Sequence, residues 1–180
     1  MQIKNNIKIL LILFFSLFVL NFNLYAEVFN ITAKEIILEK ENEILIGKGT
    51  VKAVDTEGNI IMADKITYKK PKESLLAEGN VKIIDKNGNI LLGNKALYDQ
   101  LNGLIKSYGN TELILKKGHK LLSSDIYYDT NKKILNSNKN SIFKDVDGNN
   151  IETSMFQYDI EKNLFSSIGK IKVIDVNKNK

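Results

Sequence analysis

The sequence predicts an all-β protein built from five 30-residue, two-strand repeats that stack as bent hairpins. Three observations carry this: apolar residues alternate with period two, glycine-centred turns recur at fixed spacing, and one register aligns the chain from Asn30 onward without gaps. No stretch of the repeats reads as a long amphipathic helix.

Composition narrows the chemistry. At 180 residues with 43% hydrophobic and 26% charged residues, the chain is long enough for one domain with a working core. There is no cysteine, and His119 is the only histidine. Disulfides, thiolate metal sites and cysteine nucleophiles are therefore excluded, and a histidine-based triad or metal centre has one residue to draw on. The net charge is +5, yet every basic side chain is lysine. Without arginine the chain lacks the bidentate phosphate and guanine reader, so nucleic acid is not an expected partner.

Residues 1–26 read as a secretory signal peptide. Lys4 and Lys8 precede an apolar run from Ile9 to Leu20 broken only by Ser16, a polar stretch follows at Asn21 to Asn23, and a small residue stands at Ala26. An uncleaved anchor is the competing reading. Against it, the run is shorter than the roughly 20 residues a span needs. Cleavage after Ala26 lowers the net charge from +5 to +3. Residues 27–176 are then the folded domain, and 177–180 a polar tail.

The five units start at Asn30, Ile60, Ile90, Lys120 and Asn150. Their second residue is Ile31, Ile61, Leu91, Leu121 and Ile151, and their fourth is always small. The ninth is Leu38, Tyr68, Tyr98, Tyr128 and Tyr158, and the twentieth is glycine except at Lys139. In the first strand of a unit the apolar parity changes near Asp64 and Lys65, which predicts a bulge or corner that keeps both halves facing inward. In the second strand, Leu75, Ala77, Gly79, Val81 and Ile83 share a face, and the recurring mid-strand glycine predicts a bend or a close backbone approach. Turns at Glu57-Gly58-Asn59, Asn87-Gly88-Asn89, Lys117-Gly118-His119 and Asp147-Gly148-Asn149 supply positive-φ chemistry between strands. About ten strands result.

The segments GKGTVKAVDTEGNIIMADKITY (Gly47 to Tyr68) and AEGNVKIIDKNGNILLGNKALYD (Ala77 to Asp99) resemble the OstA/LptA repeat of lipopolysaccharide transport proteins. Ala63-Asp64 and Tyr68 match its pattern directly, whereas Gly93-Asn94, Ser123-Ser124 and Thr153-Ser154 are looser versions. The resemblance implies a periplasmic, V-shaped β-jellyroll that holds lipid A acyl chains along its interior. It also implies that copies or relatives join through edge strands into a bridge between inner and outer membranes. A soluble bridge protein of the LptA type fits the length. The N-terminal domain of the barrel protein LptD and the anchored LptC remain open alternatives.

On this reading the groove is lined by Leu45, Val51, Ile66, Leu75, Val81, Ile83, Ile105, Leu113, Phe143, Phe165, Ile171 and Val173, with Tyr68, Tyr98, Tyr128 and Tyr158 at its rim. The same residues also describe an ordinary core. The small residues Gly47, Ala77, Gly79, Ser107 and Ser137 favour a lining thin enough for a guest. No catalytic residue, metal or cofactor is expected. An exported β-solenoid enzyme on polysaccharide is a distant alternative, since it needs paired carboxylates on one face. Asp55, Asp85, Asp145 and Asp175 do share a repeat position, but they sit where turns begin. His119 falls in a turn slot and is expected to be exposed. A purely structural scaffold would differ from both by failing to bind amphiphiles.

Overall fold

The computed structural model describes residues 29–176, so the expected signal peptide and the polar tail lie outside the described residues. Twelve antiparallel strands form one sheet: β1 (Phe29–Thr32), β2 (Glu35–Glu39), β3 (Ile44–Asp55), β4 (Ile60–Lys69), β5 (Ser74–Ile84), β6 (Ile90–Asp99), β7 (Leu104–Ile114), β8 (Lys120–Asp129), β9 (Ile134–Ser137), β10 (Ser141–Lys144), β11 (Asn150–Asp159) and β12 (Leu164–Ile174). Ten strands were expected. The excess arises because two of the ten are each broken at the corner, into β1 with β2 and into β9 with β10. A 3-10 turn, Lys70–Lys72, carries the chain's proline between β4 and β5. There is no α-helix among the described residues.

Every long strand bends at mid-length, and the register shows how. Glu78 pairs with Lys95 while Val81 pairs with Gly93, so β5 carries one residue more than β6 across the corner. The same shift recurs at Lys48/Val51, at Tyr108/Thr111 and between β12 and β11. On β4 the buried residues run Ile61, Ala63, then Ile66 and Tyr68, so parity flips at the expected Asp64 and Lys65. The extra residue itself belongs to the neighbouring glycine strand. There Gly79 has φ +77° and Asn80 has φ +46°, a pair of left-handed residues that turns the strand. A Cβ on Gly79 would collide with the Asp64 side chain.

Where the fourth unit has Lys139 instead of glycine, the strand is interrupted. Ser137 Oγ accepts from the Lys139 N–H at 3.1 Å, and Ser141 Oγ donates to the Lys139 carbonyl at 2.7 Å. Side-chain bonds thus hold the corner that glycine geometry holds elsewhere.

The bend divides the sheet into two facing arms. Phe29 on the first arm meets Tyr68 on the second edge-to-face at 5.1 Å, and Phe143 on the first arm stacks on Phe165 of the second at 4.6 Å. One continuous core lies between the arms, running from Phe29 to Tyr158, with Ile66, Leu121 and Ile126 fully buried. The sheet does not close: β1 and β2 form one edge and β12 the other. Inward-facing Leu38 is 62% exposed at the first edge and Val173 63% at the second, because neither has a further strand beside it.

Gly79→Ala is expected to lower unfolding stability by about 1–3 kcal/mol, since it places a side chain at a strained φ against Asp64. Lys139→Ala, at an exposed position with no such φ, is expected to stay within about 0.5 kcal/mol. Urea titration of both variants checks the contrast.

Candidate functional site

Both sets of strand connections meet at the open side of the folded sheet, opposite the corners. One set consists of the aspartate-led turns. Asp55 Oδ1 accepts the N–H groups of Glu57 and Asn59 at 2.9 Å, and its Oδ2 accepts Asn59 Nδ2 at 2.7 Å. Asp85 and Asp145 make the same three bonds within their own turns. Asp55, Asp85 and Asp145 are therefore turn anchors, each with its carboxylate occupied. The Asn149 amide, foremost, and the turn N–H groups hold the Asp145 carboxyl below the usual carboxylate range.

The turns are also linked to one another. Asn59 Oδ1 accepts the Lys86 N–H at 3.0 Å, Asn89 Oδ1 accepts Lys116 N–H at 3.0 Å, and Asn149 Oδ1 accepts Val176 N–H at 3.2 Å. The third turn departs from this pattern, having Leu115 for aspartate and His119 for asparagine. His119 was expected to be exposed. It is instead half-buried and stacked on Phe143 at 5.4 Å, because the phenyl ring beneath offers an apolar seat that a turn asparagine does not need.

The residues expected to line a groove fall into three groups. Val51, Ile66, Leu75, Val81, Ile83, Leu113 and Phe143 are buried in the core between the arms. Leu45, Ile105 and Phe165 are half-buried and pack against that core. Ile171 and Val173 lie on β12, where each is more than half exposed.

The small residues lie at the corners and near the vertex, where they are tightly packed. A Cβ on Gly47 would meet Val51 Cγ1 at 2.9 Å, and Ala77, Ser107 and Ser137 are fully buried. Their size serves close approach of backbone and side chains. A shallow hollow of about 840 Å³ lies by the last corner, among Ser141, Ser154 and Lys170, and two smaller clefts lie at the mouth. One cleft of about 300 Å³ lies among Ile61, Ile83, Tyr98, Ile105 and Tyr128, and a second of about 330 Å³ among Leu115, Tyr128, Tyr158 and Ile160. Both volumes are at the small end of ligand sites, which span roughly 300–1,000 Å³.

The four tyrosines point along the second arm toward this mouth. The rings of Tyr68, Tyr98 and Tyr158 are buried, while Tyr128 is half-exposed and borders both clefts. Tyr98 donates across the mouth to Asp55 Oδ2 at 3.4 Å, and Tyr158 donates to Asn163 Oδ1 at 2.6 Å. Tyr68 Oη is buried without a partner among the described residues. Burial, aided by the Asp55 charge, pushes the Tyr98 hydroxyl well up, and burial with the Asp85 charge pushes Tyr128 to about 12.

No protein-family model and no curated protein matches the sequence. Among solved structures, a folded sheet of this kind is found in the crystal structure of LptH, the LptA-homologous periplasmic component of the lipopolysaccharide transport device of Pseudomonas aeruginosa. The match has a TM-score of 0.57 at 13% identity and covers 82% of this chain and 94% of that one. The chain has the LptA-like β-jellyroll fold. At that identity the likeness speaks for architecture, and it assigns no role to the tyrosines or to the mouth clefts. The LptA-like sheet here is open at both edges.

A tyrosine whose folded pKa is raised contributes stability that is complete below its unfolded value near 10 and is lost as pH rises through the folded value. For Tyr128 the loss falls between about pH 10 and about 12. Spectrophotometric titration is expected to show tyrosinate forming late and together with unfolding. In Tyr98→Phe/Tyr128→Phe the late component should shrink to the part from Tyr68 and Tyr158, which burial also raises, and the alkaline midpoint should move up.

Proposed function

We propose that the chain is a periplasmic, non-enzymatic lipopolysaccharide-binding protein and forms part of a bridge that carries the glycolipid from inner to outer membrane. The observation that carries the reading is an LptA-like sheet, folded around an apolar interior and left uncovered at both edges. The LptH structure, described as a periplasmic component of a lipopolysaccharide transport device, supports the compartment and the cargo. The expected signal peptide agrees with export.

Energetics restrict how the cargo is held. A chain of about twelve carbons moved fully out of water gains roughly 10 kcal/mol, so several such chains would exceed the practical ceiling near 20 kcal/mol. A carrier that releases its cargo must bury the tails in part. The closed middle of the interior and the clefts at the mouth suit partial burial, with the arms separating to admit more of a tail. Photo-crosslinking in cells from Phe165, Leu75 or Val81 is expected to label lipopolysaccharide. Labelling confined to the outward-facing Lys82 and Glu78 would reject an interior path.

The two edges suit strand addition by related jellyrolls or by a second copy of the chain. They carry opposite charge, with Glu35 and Glu39 on β2 and Lys170 and Lys172 on β12. Head-to-tail addition in the repeat register sets β2 beside residues 164–168 and β1 beside the rest of β12, an acidic edge on a basic one, and covers Leu38 and Val173. Solution scattering is expected to show a particle size that falls on dilution, and Lys170→Glu/Lys172→Glu should shift the balance toward monomer. A strictly monomeric protein at high concentration would sink self-association.

A further inference from the structure

The third of these turns is built differently from its neighbours. The other three are clasped by an aspartate, and the asparagine of each accepts an N–H from one repeat further on. At the third, Leu115 is buried and makes no clasp, and His119 Nδ1, at the asparagine's repeat position, is buried with no partner among the described residues. Among the described residues no hydrogen bond joins this turn to the fourth, where the equivalent of Lys86 and Lys116 is the exposed Val146.

Leu115 places an apolar floor where the other turns place a carboxylate. With Tyr128, Tyr158 and Ile160 it lines the cleft of about 330 Å³. A small space of about 30 Å³ shares Leu115, Tyr128 and Ile160 with that cleft and leads inward to Leu91, Leu113 and Leu135 of the core. The outer rim is cationic. Lys116, Lys117 and Lys133 border the cleft with one acid, Glu161. None of the three lysines forms a salt bridge among the described residues, unlike Lys86, which is 2.7 Å from Glu57. The Tyr128 hydroxyl likewise makes no hydrogen bond there, leaving a donor between floor and rim.

We propose that this recess is a lateral binding site for one acyl chain of an anionic amphiphile, the tail resting on Leu115 and the core beneath and the anionic head on Lys116, Lys117 and Lys133. The inference rests on the lipid-carrier reading and adds where along the sheet a tail first engages. The chemistry required is an acyl chain on a molecule that carries a phosphate. A lipid A phosphate and a glycerophospholipid phosphate both meet it.

The test uses the full mature chain and the variant Leu115→Asp/His119→Asn, which restores the residues that fold the neighbouring turns. Lysophosphatidic acid, lysophosphatidylcholine and lipid A are titrated separately, below their micellar concentrations, with tyrosine fluorescence and calorimetry as readouts. Wild type is expected to bind lysophosphatidic acid at least about tenfold more tightly than the variant, the change that loss of about two methylene contacts produces. Lys116→Gln/Lys117→Gln/Lys133→Gln should weaken lysophosphatidic acid and leave lysophosphatidylcholine nearly unchanged. A parallel loss for lipid A identifies the glycolipid as a ligand of this recess, and a loss for lysophosphatidic acid alone identifies a phospholipid source. If the clasped variant folds and binds every probe as wild type does, the lateral site is wrong while the transport reading stands. If wild type binds none of the three, both fall.

Discussion

The structure depends on a mismatch of one residue at the corners. A strand presents alternate residues to alternate faces, so at a fold each strand's residue count must bring the apolar side chains of both arms to the inner face. Paired strands here do so with counts that differ by one. The glycine strand takes two left-handed residues, Gly79-Asn80, and keeps Ala77 and Val81 on one face, while its partner steps from Ala63 to Ile66 with both side chains inside. Everything else follows from that step: the facing arms, the shared core, and the approach of both sets of turns at the mouth.

The mouth is where the fold is least uniform. Toward the start of the sheet it is drawn together by Asp55 and Tyr98, and Phe29 fills the space between Tyr68 and Tyr98. At the third turn the polar clasp gives way to Leu115 and a stacked His119. The interior changes along the same direction. Near the first corners it is alanine and glycine, whereas from Ser107 and Thr111 to Ser123, Ser137 and Ser141 it is a seam of hydroxyls that bond one another at 2.6–3.0 Å. Such groups are buried at little net cost because each has a partner.

Much of this was legible in the residues. Period two in Leu75, Ala77, Val81 and Ile83 gave the inward face, and the glycine-asparagine turns gave the hairpins. The parity change at Asp64 located the corner, although the formally extra residue lies across the ladder beside Gly79. What was not legible depends on contacts between arms. The small side chains look like spare room until the second arm is brought against them, and then they are the only ones that fit. The tyrosine rings look like a rim until Phe29 is seen packed on two of them. Leu115 and His119 were visible as departures from the repeat, but their joint effect needs Phe143 and Tyr158 nearby, which only the folded sheet supplies.

The fourth corner has a consequence for how the chain tolerates change. At four corners a glycine of positive φ carries the geometry, and a side chain there adds strain. At Lys139 the same bend is shared among Ser123, Ser137, Ser141 and Asp125, and loss of any one leaves part of the network bonded. Redundancy of this kind makes the fourth unit the place where sequence can drift furthest before the sheet unfolds flat.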